Sequence, residues 1–252
     1  MLKNLLNCVM DLAEQMLING AEIYRVEDCI NRIFMSNGVK RVDTFIITSS
    51  MVVSVSDNEG NVFTQTRRIG NVSTDIERLH KLNALSRYIC SNSPDVEEIK
   101  NRLNDISSTP TYHLAIKVAA NAVIAGSFTL FFGGTCVDSI VSFAIGAIMQ
   151  FAFVGLNKIN TNKLFEKFIC SLIVSLLAFT AVKISIVSGV DKIVIGNIMS
   201  MIPGVGFTNA LRDLFKGDIF AGVHRGIESL LISAAIAAGY VLTAVILGGV
   251  VL

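Results

Sequence analysis

Long apolar stretches in the last 140 residues limit what this chain can fold into more than any other feature. Five of them are long enough to cross a bilayer, since about 20 helical residues span about 30 Å of hydrocarbon. They are Leu114 to Phe132, Ser139 to Leu156, Phe168 to Val187, Ile193 to Leu211 and Ile227 to Val250. Residues 113–252 are therefore predicted to form an all-α polytopic membrane domain of five transmembrane helices.

Charged residues divide the chain into two parts. The first 112 residues carry 12 basic and 14 acidic side chains, whereas the remaining 140 carry only 9 and 6. Residues 1–112 are thus predicted to be a soluble domain that ends near Ser107-Ser108-Thr109-Pro110. A net charge of +1 gives no basic excess, so no nucleic-acid partner is expected.

Basic residues between the apolar stretches predict the orientation in the membrane, because cytoplasmic loops carry an excess of Lys and Arg. Lys192 is the one basic residue in the loops of one side. The other side holds six, namely Lys158, Lys163, Lys167, Arg212, Lys216 and Arg225. We expect a multi-pass protein of the plasma membrane, with the N-terminal domain in the cytoplasm and the C-terminus at Leu252 outside.

The N-terminal domain is predicted to be a small α+β fold. Apolar residues recur at helical spacing from Leu2 to Met16 and from Ala21 to Met35. Three β-branched runs follow, at 45–48, 52–56 and 62–66, and Asp57-Asn58-Glu59-Gly60-Asn61 is typical of a hairpin turn. Two more helices are expected after them, one capped by Ser73 and one with Pro94 in its first turn.

Motifs for catalysis or cofactor binding are not found. The sequence has no P-loop, G-x-G-x-x-G, G-x-S-x-G or H-E-x-x-H, and His80 is interpreted as a surface residue. The five cysteines form no C-x-x-C pair and are expected to be free thiols. We therefore predict no enzyme activity, no cofactor and no metal. A membrane-anchored hydrolase and a substrate-sensing membrane scaffold stay open as alternatives.

Polar residues inside the apolar stretches are candidates for a transport site, because burying them in a bilayer is costly. They are Asn121, Gln150, Lys183, Asn197, Asn209 and Glu228. The fourth stretch is distinctive, since Pro203-Gly204-Val205-Gly206 interrupts it between Asn197 and Asn209. Such a break is either a binding segment of a discontinuous helix or a proline kink with packing glycines.

Two segments together resemble the threonine/serine exporter family. The first is Asn19-Gly20-Ala21-Glu22-Ile23-Tyr24-Arg25-Val26-Glu27-Asp28, in the predicted soluble domain. The second is Pro203-Gly204, followed by Asn209-Ala210-Leu211-Arg212-Asp213 and Gly217-Asp218. They occur in the family's order, so the resemblance covers nearly the whole chain. It implies a cytoplasmic domain followed by a membrane region of a secondary exporter, which the proton gradient would drive.

The resemblance also implies functional residues. It adds Pro203, Gly204, Asn209, Arg212 and Asp213 to Asn197 as substrate-binding candidates, with Arg212 holding a substrate carboxylate. Gly20, Ala21, Arg25 and Glu27 form the signature of the soluble domain. Arg25 and Glu27 cannot share a helix face, so one is expected to pack within the domain while the other meets the membrane region or a partner.

A difference from full-length family members concerns the number of spans. Those members carry two membrane halves, twice the spans predicted here, so the chain resembles the larger subunit of the split, two-subunit type. The implied partner is a second membrane subunit of four or five spans. Because one split pair is associated with succinate export, the small-molecule substrate is either threonine and serine or a small dicarboxylate.

Overall fold

The computed structural model describes residues 2–57, 59–70, 72–109, 112–159, 161–187 and 189–248. Within this part of the chain it contains ten helices and one three-stranded sheet. The chain forms two compact units. The first comprises Met1–Pro110 with Thr208–Arg225, and the second comprises Thr111–Phe207 with Gly226–Leu252.

The first unit contains most of the soluble domain that the sequence predicts. Its elements are α1 (Leu2–Ile18), α2 (Ile23–Ser36), β1 (Arg41–Ile47), β2 (Ser50–Ser56), β3 (Val62–Arg68), α3 (Ile76–Asn92) and α4 (Val96–Ser108). The strands are antiparallel in the order β1-β2-β3. In β2, Met51, Val53 and Val55 are buried and alternate with less buried residues, as expected for a sheet with one face on the core.

Helix starts differ from the sequence prediction in two places. The cap of α3 is Asp75 and not Ser73, because the Asp75 carboxylate accepts a hydrogen bond from the Arg78 amide at 2.9 Å. In α4 the cap is Asp95, which accepts from the Glu98 amide at 2.7 Å, so Pro94 precedes the helix. In both cases an acidic side chain close to the first turn satisfies the free amides of that turn.

The second unit is built from long apolar helices. They are α5 (Leu114–Phe131), α6 (Cys136–Lys158), α7 (Lys163–Lys183) and most of α10 (Ile219–Gly248), with the short α8 (Val190–Ile198) and the start of α9 (Gly204–Phe215). In the described part of the chain, four helices are long and apolar enough to cross a membrane, namely α5, α6, α7 and α10.

The fourth predicted span, Ile193 to Leu211, is not confirmed as a transmembrane helix. Its residues are divided between α8, with nine residues, and α9, with twelve, and neither reaches the length of a span. The interruption has a physical cause, since proline cannot donate a backbone hydrogen bond and Pro203 directly precedes α9. Residues from Thr208 onward belong to the first unit.

Some predicted boundaries lie outside the described residues. Pro110, at the predicted end of the soluble domain, is one of them, and so are Val250 and Leu252 at the C-terminus. The division of the chain at residue 112 stays a prediction. What the structure adds is that residues 208–225, predicted to belong with the membrane domain, are part of the first compact unit.

Candidate functional site

The turn between α1 and α2 holds the first signature segment in a fixed position. Gly20 has a φ of +94°, and a Cβ added there would lie 3.1 Å from the Ser73 carbonyl oxygen, so glycine suits both the backbone and the space. The Ser73 amide donates to the Ile18 carbonyl at 2.8 Å. Ala21 is buried, and Glu22 follows it at the start of α2. The Glu22 side chain is therefore presented at a defined point of the unit.

The second signature segment reaches this unit through the turn between α9 and α10. Gly217 has a φ of +89°, and the Asp218 amide donates to the Asp213 carbonyl at 3.0 Å. The Asp218 carboxylate accepts from the Ala221 amide at 3.2 Å in the first turn of α10. Ala221 is buried in the same hydrophobic core as α1 to α4. Residues 208–225 thus form a helical hairpin that packs on the hydrophobic core of the first unit.

Glu22 and Arg212 form an ion pair between residues 190 positions apart. Arg212 Nη1 donates to Glu22 Oε1, and the side chains are 46% and 11% exposed, respectively. Arg25 Nε lies 3.7 Å from the other oxygen of the same carboxylate, Glu22 Oε2. Glu22 is therefore neutralised from two sides by guanidinium groups, which form strong charge-assisted bonds to carboxylates.

Arg225 connects the two signatures a second time. Its Nη2 donates to the Ala21 carbonyl oxygen at 3.1 Å, and its Nη1 lies 3.6 Å from Asp213 Oδ2. The Asp213 side chain is only 2% exposed and that of Arg225 13%. Because removing water from a charge is costly, each of these buried groups depends on the other for compensation.

We call Ala21, Glu22, Arg25, Arg212, Asp213 and Arg225 the Glu22 cluster. It contains three guanidinium groups and two carboxylates, so it has one more positive than negative charge. Arg212 is the half-exposed member and can accept a further carboxylate. In chemical terms the cluster can hold the two signature segments together, and it can exchange the Glu22 carboxylate for another carboxylate at Arg212.

Glu27 lies close to the same hairpin. Burial raises the pKa of the Glu27 carboxyl, and the neighbouring negative charge of Asp218 raises this pKa further. Nearby, Lys216 Nζ lies 3.6 Å from the centre of the Tyr24 ring, within the range of a cation–π contact. The start of α2 and the α9–α10 hairpin thus also meet where Lys216 contacts Tyr24 and where the Asp218 charge acts on Glu27.

Asn197 is the buried polar residue of α8, in the second unit. It is fully buried, and its Nδ2 donates to the Ile193 carbonyl at 2.9 Å. Its Oδ1 is also buried and has no hydrogen-bond partner within the described residues. An unpaired buried acceptor costs about 1–3 kcal/mol, so its presence calls for an explanation.

The packing of α8 on α5 brings Gly196, the residue before Asn197, against a polar group. A Cβ at Gly196 would overlap Thr129 Oγ1 and would lie 2.8 Å from the Ala125 carbonyl oxygen, so α8 approaches α5 closely. Thr129 is buried, and its Oγ1 lies 2.7 Å from Ser142 Oγ of α6. A buried pair of hydroxyl groups therefore joins α5 to α6 at the point where Gly196 of α8 packs against α5.

The six substrate-binding residues predicted from the sequence fall into both units. Arg212 and Asp213 belong to the Glu22 cluster, and Asn209 lies half-buried on the same helix, α9. Pro203 and Gly204, at the start of α9, belong with Asn197 to the second unit. Among the signature residues of the soluble domain, Ala21 and Arg25 are in the cluster, Gly20 shapes the preceding turn, and Glu27 lies near Asp218.

Several residues near these polar groups were not predicted from the sequence to have a function. Glu22 is not among the predicted site residues, although its spacing of three from Arg25 is typical of an ion pair. Thr129 and Ser142 were not predicted as site residues. Hydroxyl side chains are common in membrane spans, where they donate to a backbone carbonyl of their own helix, as Thr129 does to Ala125. Glu228 is one of the polar residues predicted inside a span. Its Oε1 lies 3.5 Å from Lys163 Nζ in an exposed ion pair.

The fold and these polar groups define a membrane protein with several helices of spanning length. A family model described as "Putative threonine/serine exporter" matches residues 7–247. Because the match covers nearly the whole chain, the protein belongs to this family, ThrE. No curated protein and no solved structure matches the chain.

Proposed function

We propose that this protein exports threonine and serine across the plasma membrane as a secondary transporter. Membership of the threonine/serine exporter family supports the substrate class, and four helices of spanning length support a membrane location. The observation that carries the proposal is the unpaired Oδ1 of fully buried Asn197 on a helix interrupted just before Pro203. A substrate hydroxyl or ammonium group would supply the missing hydrogen bond.

The Glu22 cluster gives the soluble domain a part in this function. The Glu22–Arg212 ion pair ties α9, which continues directly from the Pro203 break, to the start of α2. Arg225 of α10 adds an indirect link, because it contacts both Asp213 of α9 and the Ala21 carbonyl oxygen. A movement of α9 during transport would have to break or carry these bonds. We propose that the cluster gates export, with a substrate carboxylate competing with Glu22 for Arg212. A hydrolase is not favoured by any geometry that we find in the described residues.

The substrate is tested by efflux from the protein's own host. We expect a strain without the gene to lose efflux of labelled serine and threonine, and the wild-type gene on a plasmid to restore it. Succinate is the matched comparison, since it has two carboxylates and no ammonium group. Restored succinate efflux with unchanged serine and threonine efflux would replace the amino-acid proposal with the dicarboxylate alternative.

We also propose that α8 and α9 cross the membrane as one discontinuous segment, with the soluble domain in the cytoplasm and the C-terminus outside. Lys158 and Lys163, which flank the turn between α6 and α7, support this, as does the grouping of Arg212, Lys216 and Arg225 with the N-terminal residues. A second membrane subunit is part of the proposal. An apolar groove of about 410 Å³ between α8 and α10, lined by Ile195 and Tyr240 among others, supports such a contact.

The native cysteines test this orientation without new labels. Cys136 is exposed at the start of α6, and Cys90 is half-buried in α3, whereas Cys8, Cys29 and Cys170 are buried. We expect a membrane-impermeant maleimide to label Cys136 in intact cells and to reach Cys90 only after permeabilisation. Cys136→Ser and Cys90→Ser variants identify each signal. Labelling of Cys136 only after permeabilisation would contradict the proposed orientation.

A further inference from the structure

A polar cavity lies at the end of the second unit where α7 ends and α6 begins. Its volume is about 440 Å³, which is in the usual range for small-molecule sites. Thr135, Asp138 and Ser185 contribute polar atoms to its lining, and Val182, Ile186 and Val187 contribute apolar surface. A lining that is about half aliphatic, with two hydroxyl groups and one carboxylate, suits a small polar molecule that carries a methyl or methylene group.

Asp138 is the charged residue of this cavity, and only one of its oxygens is accounted for. Its Oδ2 accepts from the Thr135 amide at 2.8 Å and from Thr135 Oγ1 at 2.9 Å, as part of a capping box at the start of α6. Its Oδ1 is buried and has no hydrogen-bond partner within the described chain. The residue as a whole is 4% exposed. Helix capping therefore accounts for Oδ2 of Asp138 but not for Oδ1.

A carboxylate this deeply buried is normally paired with a cation. None of the described basic side chains lies within ion-pair distance of Asp138, including Lys183 at the end of α7. The described residues also offer no group of three acidic, histidine or cysteine side chains that could hold a metal ion. An organic cation is therefore a better partner for the Asp138 carboxylate than a divalent metal ion is.

We propose that this cavity binds the ammonium group of the exported amino acid through Asp138. The inference rests on the proposed export function and extends it by assigning a second substrate site, at the opposite end of α6 from Lys158. The aliphatic lining accommodates the methyl group of threonine, and a single carboxylate discriminates against a dianion such as succinate by charge repulsion.

Protection of an introduced thiol tests this site. Val137 lines the cavity, so we use Val137→Cys in a Cys90→Ser, Cys136→Ser background and measure its rate of maleimide labelling in the purified full-length protein. Serine, and serine amide, which keeps the ammonium group but lacks a carboxylate, are expected to slow labelling at least five-fold. N-acetylserine and succinate should leave the rate unchanged. Equal protection by N-acetylserine, or no protection by serine amide, would overturn the proposal.

Asp138→Asn in the same background separates charge from capping. Asparagine at this position still accepts a hydrogen bond from Thr135, so the melting temperature should stay close to that of the parent protein while protection by serine amide is lost. Retained protection would exclude Asp138 as the ammonium ligand. The outcome is distinct from failure of the proposed function: efflux without protection refutes only this site, and protection without efflux refutes only export.

Discussion

Charge reversal at either end of the Glu22–Arg212 pair should reduce serine and threonine efflux at least ten-fold. Arg212→Glu would place a second carboxylate beside Glu22, and Glu22→Arg would bring a third guanidinium next to Arg25 and Arg212. Like charges at this distance repel in a partly buried setting. The double variant Glu22→Arg/Arg212→Glu restores an opposite-charge pair and should recover at least half of the wild-type efflux rate.

A second ion pair on α2 provides the matched control. Asp28 and Arg32 are joined at 2.7 Å, and their side chains are 42% and 72% exposed. Exposed pairs contribute about 0–1 kcal/mol, so reversing either residue should leave efflux within two-fold of wild type. For Glu22 and Arg212 we expect a coupling of about 1–3 kcal/mol in the double-mutant cycle. A free-energy loss in the double variant equal to the sum of the two single losses would show that the two residues act independently.

Replacing Asn197 with leucine should lower efflux at least ten-fold without lowering the melting temperature. Leucine fills a similar volume, and the change removes an acceptor whose burial without a partner costs about 1–3 kcal/mol. A purely structural asparagine would behave differently, because its loss would then lower stability. Efflux of labelled serine and thermal unfolding followed by circular dichroism provide the two measurements.

Asn157→Leu is the control for this substitution. Asn157 makes the same type of bond as Asn197, from Nδ2 to a carbonyl four residues earlier, at 3.2 Å, but it lies exposed near the end of α6. Its replacement should leave efflux unchanged. Normal efflux in Asn197→Leu would remove this residue from the proposed transport path.

Sequence patterns predicted much of the fold because apolar residues recur at the spacing of a helix or a strand when one face of that element is buried. The apolar spacing of α1 and α2 and the alternation of β2 mark their buried faces directly. The apolar stretches predicted five transmembrane helices, and four helices of spanning length are found in the described residues. The stretch from Ile193 was predicted as one span because apolar residues continue on both sides of Pro203, although the interruption itself is visible in the sequence.

The candidate site could be predicted in its parts but not in its assembly. The resemblance identified both signature segments, yet nothing in a single sequence pairs Glu22 with Arg212, because the contact depends on how the α9–α10 hairpin folds back. Asp138 is not among the residues predicted to bind the substrate. Its unpaired oxygen is visible only once the partners of the other oxygen are known.

Counterflow in liposomes tests the central claim, serine and threonine export, most directly. The tagged protein is purified from its host membrane with any polypeptide that copurifies, and reconstituted into liposomes loaded with unlabelled serine. We predict saturable accumulation of external labelled serine and threonine, and none when the liposomes are loaded with succinate. Accumulation no greater than in protein-free liposomes would contradict the proposed function.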